Sequence, residues 1–258
     1  MITKKELQDY ARLKGLNLGN AEKDYLIDIA LLSISNRIKN ELVFKGGTCL
    51  YKFHKLNRFS EDIDFSASLN VDLDVLSSHI VLDFGRFGIK AVIHKKKDFH
   101  NSILITFKIE GPLFSGKDVS CATLGMDVNL KSPVILEPEF LTYNSLYPDI
   151  SRVSALCMRK EEIFAEKIRA IITRNRARDL FDLYFLIEEG VSADESLVNK
   201  KMEYYNIRFD VNELVKKVKA FEKSWEKELV SFASSIPKFR VVSKKVIYVL
   251  KNNYLHKK

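Results

Sequence analysis

The sequence predicts an α/β fold: a small mixed sheet flanked by helices over residues 1–150, followed by a mainly helical domain over 151–258. Three observations carry this reading. Apolar residues recur at helical spacing before residue 40 and again after residue 158, as amphipathic helices require. Between those regions, Asp62-Ile63-Asp64-Phe65 and the stretch 119–130 alternate or run apolar as strands do. A chain of 258 residues that is 46% apolar and 29% charged has enough material for one large domain or two modest ones.

The elements follow in order. Residues 4–14 read as a helix, with Thr3 as N-cap and Leu7, Tyr10 and Ala11 on one face. Gly15 to Gly19 break it. Asn20 caps a second helix to about Lys39, with Ile27, Ala30, Leu31, Ile34 and Ile38 as its apolar stripe. Glu41 to Phe44 form a short strand running into a Gly46-Gly47 turn, and Thr48 opens a helical segment. After the strand carrying Asp62 and Asp64 comes a loop, 66–71, then a helix over 72–84 with Leu73, Leu76, Ile80 and Phe84 inward. Strands over 89–94 and 102–109 are joined by a basic turn, and 119–130 is a longer strand bent near Gly125. Residues 132–154 hold three of the five prolines without periodicity and read as the crossing between domains. Helices follow over 158–174, with Phe164, Ile168, Ile171 and Ile172 as a stripe, and from about Arg178 to Gly190. Residues 193–258 read as helical, with Trp225 in the core and the lysines at 200–201, 216–219 and 257–258 on solvated faces.

The net charge of +8 gives a weak bias towards a polyanionic partner, concentrated at 94–97, 174–178 and 238–258. Cys49, Cys121 and Cys157 are isolated and odd in number. They offer no zinc spacing and no disulfide framework, so each reads as a small buried hydrophobe in a reducing cytoplasm. No apolar run reaches the length of a membrane span.

The chemistry concentrates in Phe44 to Phe65, FKGGTCLYKFHKLNRFSEDIDF. On a strand, Asp62 and Asp64 point to one side while Ile63 and Phe65 point to the core. Two carboxylates aimed together repel unless a cation lies between them, and hard oxygen donors suit Mg²⁺ or Mn²⁺. Gly46 and Gly47 let backbone approach a ligand closely, and a helix opening at Thr48 favours phosphate. Asp127 shares a face with Asn129 if 126–130 alternates, and supplies a third carboxylate. The plainer alternative is an ordinary glycine turn with solvated edge aspartates.

Together, KGGTCL followed by RFSEDIDF resembles the signature of the nucleotidyltransferase superfamily, and most closely the AbiEii/AbiGii family of bacterial toxin–antitoxin and abortive-infection toxins. A second stretch, EKIRAIITRNRARDLFDLYFL, resembles another signature of that family, a helical lysine followed by Arg-Asp-Leu-x-Asp-Leu. The resemblance implies a nucleotidyltransferase-type sheet and carries Lys167, Arg178 and Asp179 over as active-site residues. A lysine beside an apolar stripe needs an anion, which a triphosphate provides. Arg178 suits a phosphate oxygen. The alternatives are a snorkelling Lys167 and an Asp179 that, with Asp182, only caps a helix N-terminus.

The resulting expectation is nucleotidyl transfer from a nucleoside triphosphate, with release of pyrophosphate, in a cleft that the helical domain completes. Asp62, Asp64 and Asp127 would hold the metal, and Gly46, Gly47 and Thr48 would cradle phosphates with Lys167 and Arg178. The resemblance implies an RNA acceptor, tRNA-like, and a cognate antitoxin protein as partner. Lys95, Lys96, Lys97, Arg174 and Arg176 are candidate acceptor contacts. A small-molecule hydroxyl as acceptor, and a non-catalytic nucleotide- or RNA-binding protein, stand as alternatives.

Overall fold

The computed structural model describes residues 1–68 and 70–255. The chain forms two compact units: Met1–Val134 with Pro138–Cys157, and Ile135–Glu137 with the residues from Met158 on.

The first unit begins with α1 (Lys4–Lys14), closed at its start by a capping box. The Glu6 N–H donates to the Thr3 hydroxyl at 3.2 Å, and the Thr3 N–H donates to the Glu6 carboxylate at 2.7 Å. The second helix, α2 (Leu18–Ser35), starts one turn earlier than the sequence suggests. Asn17, not Asn20, is the cap: its side chain accepts the Asn20 N–H at 2.8 Å. Asn20 thereby joins the first turn, where its N–H needs such an acceptor. Almost every side of α2 is buried, from Ala21 through Tyr25, Ile27 and Leu31 to Ile34. Among the described residues no helix is long and apolar enough to cross a membrane.

The strands form one seven-stranded mixed sheet. They are β1 (Leu42–Lys45), β2 (Ile63–Ala67), β3 (Lys90–Phe99), β4 (Ser102–Glu110), β5 (Ala122–Asn129), β6 (Glu139–Tyr143) and β7 (Val153–Cys157), in the order β3-β4-β5-β2-β1-β7-β6. Strand β2 pairs with β5 in parallel, as β1 does with β7; the other neighbours are antiparallel. On one face Ile63, Phe65, Ile105, Phe107, Met126 and Val128 are fully buried. The helices α2 and α4 (Leu73–Arg86) cover this side, packing on each other and on β5, β7 and β3. Each such side chain stabilises the fold by roughly 1.5–3 kcal/mol. This is the α/β architecture the alternation predicts.

Three expectations change. Residues 132–154 are not a featureless crossing, because β6 and the start of β7 lie there. Both strands have only five residues, and the three prolines beside them mask the pattern. The lysines at 95–97 belong to strand β3 itself, not to a turn, and the hairpin turns at His100-Asn101. As the edge strand, β3 is exposed along most of its length, and charge there is compatible with a strand because it discourages edge-to-edge pairing. Of the three cysteines expected to be buried, Cys121 is only partly so; Cys49 and Cys157 are buried, and burial together with a hydrogen bond to Cys157 pushes the Cys49 thiol well up.

The second unit packs α5 (Lys160–Thr173), α6 (Ala177–Glu188), α7 (Glu195–Glu203), α8 (Val211–Ala220), α9 (Trp225–Leu229) and α10 (Phe239–Tyr254). Phe164, Ile168, Leu180, Leu183 and Trp225 make its core, and the Trp225 indole N–H donates to the Pro237 carbonyl at 2.9 Å. Residues 135–137 join this unit because the Ile135 and Leu136 N–H groups donate to the buried Glu162 carboxylate at 2.9 and 2.8 Å. Lys201 is not solvated: it is buried against Glu162 at 2.5 Å and Glu166 at 3.3 Å. The basic pair Lys257-Lys258 lies outside the described residues.

Candidate active site

Strand β1 ends at Lys45, and α3 (Gly46–His54) begins at the next residue. Gly46 and Gly47 therefore form the first turn of the helix, rather than a turn ahead of it, with Thr48 third. Gly46 has φ +74°, a conformation that penalises any side chain by roughly 1–2 kcal/mol. A Cβ on it would strike the Asp64 carboxylate and lie 3.1 Å from both Cβ and Cγ of Asp64. The glycine is thus required twice, by its backbone and by the carboxylate packed on it. The Thr48 hydroxyl donates to the Asp62 carbonyl, fixing the chain where β2 begins. Lys45 occupies the N-cap and gives this turn no side-chain cap, since an ammonium has no acceptor.

Sheet register sets the rest. Lys45 is paired with Asp64 across β1–β2, Asp64 with Asp127 across β2–β5, and Asp127 with Leu104 across β5–β4. Directly paired residues share a face, so Lys45, Asp64 and Asp127 form one row, opposite the face covered by α2 and α4. Asp62, two residues before Asp64, points the same way and rests on β5: a Cβ at Gly125 would lie 2.7 Å from its Oδ1. Lys45 is buried, Asp64 and Asp127 are half-buried, and Asp62 is exposed. The three expected carboxylates thus share a face.

Hard carboxylate oxygens on one face, with Gly46 and Gly125 keeping room for two of them, fit Mg²⁺ or Mn²⁺ in donor type. Among the described residues no group of three or more His, Cys, Asp or Glu is placed to hold a metal ion. The trio shares a face without being gathered to one point.

In the second unit Lys167, on α5, is buried and paired with Asp179 at 3.0 Å and Asp182 at 2.6 Å, both on α6. Arg174 grips the same Asp179 with two hydrogen bonds, Nε to Oδ2 at 2.7 Å and Nη2 to Oδ1 at 2.8 Å. Burial alone would raise the Asp179 pKa, but Lys167 and Arg174 outweigh it and hold the carboxyl well below the usual range. The anion that Lys167 needs beside its apolar stripe is therefore present within the protein. Arg178 lays its guanidinium over the Phe232 ring at 4.3 Å, and Arg176 is exposed at the N-cap of α6.

Of the acceptor candidates, Lys95 and Lys97 are in register with Thr106 and Leu104, and so lie on the aspartate face. Lys96 is not: it pairs with Ile105 on the covered face and reaches Asp74 of α4 at 2.5 Å. Sequence reasoning gave no site role to three residues beside these. Lys45 had a signal, as the residue directly before Gly-Gly. Asp182 had one in its i+3 spacing from Asp179. Gly125 had none, because the register that sets it against Asp62 is not legible in the sequence.

The fold is similar to those of solved structures. MenT4, a nucleotidyltransferase toxin from Mycobacterium tuberculosis, is 18% identical, with 98% of this chain and 90% of that one covered and a TM-score of 0.66. JHP933 from Helicobacter pylori is 19% identical over 93% of this chain and 94% of that one, with a TM-score of 0.56. A comparison with curated proteins gave no match. Residues 31–243 match the family described as the nucleotidyl transferase AbiEii toxin of type IV toxin–antitoxin systems. The chain belongs to that family. A toxin of such a system has an antitoxin as its counterpart, and enzymes of this class typically work with a divalent metal ion.

Proposed function

We propose that this protein transfers a nucleotidyl group from a nucleoside triphosphate to a hydroxyl of an RNA strand, releasing pyrophosphate. The observation that carries the reading is the aspartate row: Asp64 in register with Asp127, Asp62 beside them, and a side-chain-free Gly46 against Asp64. Asp62, Asp64 and Asp127 would hold Mg²⁺ or Mn²⁺, which when bound supplies positive charge to the phosphates and acidity to the attacking hydroxyl.

The chain's own groups do the remainder. The first-turn N–H groups of α3, at Gly46, Gly47 and Thr48, point along the helix axis towards a phosphate, and the lysine at their N-cap adds charge of the right sign. Asp127, half-buried beside Asp64, accepts the proton of the acceptor hydroxyl. Lys45 lies next to Asp64 and offsets carboxylate repulsion in the row. In the second unit the family signature assigns Lys167 and Arg178 to nucleotide binding, and Lys167 and Asp179 to catalysis. Asp179 and Asp182 fix the ammonium of Lys167 in position, and Arg174 braces Asp179. Most of the rate would come from positioning and charge neutralisation. Such an enzyme acts where its triphosphate and RNA are, in the cytoplasm.

The test is incubation with each α-labelled nucleoside triphosphate, Mg²⁺ and total RNA. Label should enter RNA with the wild-type chain and not with Asp62→Asn. Label confined to small molecules would transfer the reading to a small-molecule acceptor. No labelled product with any triphosphate would overturn it.

A further inference from the structure

The register of β3 against β4 shifts between Ile93 and Lys95, so His94 is an extra residue, a β-bulge. The bulge decides what β3 shows to the aspartate face. Lys90 and Val92 are in register with Glu110 and Lys108, on that face. Strict alternation from there would place His94, Lys96 and Asp98 beside them, a set in which the lysine and aspartate cancel. The extra residue substitutes Lys95, Lys97 and Phe99, in register with Thr106, Leu104 and Ser102. The face gains two lysines and an aromatic ring, and Lys96 and Asp98 turn to the other side. Bulges re-aim side chains in this way and are built features rather than defects.

The re-aimed side chains are exposed, Phe99 to 49%. Among the described residues Lys96 pairs with Asp74, whereas Lys95 and Lys97 pair with no carboxylate. Lys97 stands two strands from Asp127, along the row Lys97–Leu104–Asp127. At about 4.8 Å per strand that is roughly 10 Å. Edge protection alone would be served by lysines on either face. It does not explain two uncancelled cations beside an exposed ring, all facing the aspartates. Cations that follow a backbone, beside an aromatic that stacks a base, are what a single-stranded nucleic acid requires.

We propose that Lys95, Lys97 and Phe99, presented by the bulge at His94, form a rail for a single-stranded nucleic-acid acceptor. The lysines hold consecutive phosphates and Phe99 stacks one base, which leads the strand's terminal hydroxyl to Asp127. This rests on the reading that the acceptor is RNA, and adds the residues that seat it.

The experiment is a salt titration of binding of a labelled single-stranded oligoribonucleotide to the full chain. It compares wild type with Lys95→Glu/Lys97→Glu, Phe99→Ala and Lys96→Glu. Melting curves check that each variant is folded. The double variant should bind on the order of tenfold to a hundredfold more weakly, with the log–log salt slope smaller by about 1.4, two contacts on a single strand. Phe99→Ala should bind on the order of tenfold more weakly with the slope unchanged. Lys96→Glu should stay within about twofold of wild type. Equal losses for Lys96→Glu and the double variant would overturn the rail, as would wild-type binding by both the double variant and Phe99→Ala. A loss with the lysines but none with Phe99→Ala would overturn the single-strand site in favour of general polyanion attraction. If wild type labels RNA while the rail variants bind normally, the rail fails and the RNA reading stands. If wild type neither binds nor labels RNA, both fall.

Discussion

Gly125→Ala separates the proposed active site from the fold with one methyl group. Gly125 does not need its conformational freedom, as its φ lies outside the positive range where side chains are strained. Its neighbours Leu124 and Met126 face the core, so the added Cβ enters no packed interior. What it meets is Asp62, with Oδ1 at 2.7 Å and Cγ at 3.3 Å. The oxygen must retreat by about 0.7 Å to reach an ordinary 3.4 Å contact. Asp62 is exposed and can swing, so the shift costs little stability. Alanine also restricts the unfolded chain more than glycine, which favours folding by about 0.4–1 kcal/mol. A misplacement near 1 Å can cost on the order of a hundredfold in rate. The expected result is an unchanged or slightly raised melting temperature, with nucleotidyl transfer reduced on the order of ten- to a hundredfold. The assay is label transfer from triphosphate to RNA, alongside a thermal melt. Wild-type transfer by a folded Gly125→Ala protein would refute the reasoning, because the Asp62 carboxylate would then not need its place against β5.

Further outcomes follow from other parts of the molecule. Asp64→Asn should abolish transfer and keep the fold, since it removes a charge without volume; label transfer and circular dichroism check it. Lys167→Ala removes the ammonium from buried Asp182 and from buried Asp179, which keeps Arg174, so unfolding by denaturant should show a loss of roughly 3–5 kcal/mol. Restored stability in Lys167→Ala/Asp182→Asn would trace that loss to the stranded charge. Asp24 is buried, which alone would raise its pKa, yet Lys52 and Lys14 bring it down to about 2. A lowered folded pKa contributes stability above the unfolded value of about 3.9 and loses it as pH falls towards about 2. Melting temperatures from pH 5 to pH 2 should therefore fall more steeply for wild type than for Asp24→Asn. Expression of the chain alone should arrest bacterial growth, and growth equal to that with Asp62→Asn, at matched protein levels, would count against a toxin.

The α/β class, the helices and the carboxylate pair were legible in the sequence because each rests on local period. Asp62 and Asp64 share a face by alternation alone, and the capping box of α1 lies within four residues. Register was not legible. The pairing of Asp64 with Asp127 and the opposition of Gly125 to Asp62 are contacts between residues 63 apart in sequence, set by sheet closure. The bulge was invisible for a related reason: His94 is an extra residue only by reference to β4. Lys167 shows the limit of a sound local argument. A buried lysine does need an anion, but the sequence did not say that α6 would supply it.

Strand pairing also orders events during synthesis. Strand β1 acquires its neighbour β2 within some twenty residues, but its other edge waits for Cys157. The aspartate row waits for β5, since Asp127 must be made and threaded in parallel beside Asp64. Non-local parallel pairing is slow and leaves strand edges exposed meanwhile. A nascent chain that has not yet reached residue 127 carries Asp62 and Asp64 but no third carboxylate. A capacity that needs all three carboxylates would therefore arise only once about half of this polypeptide has been built.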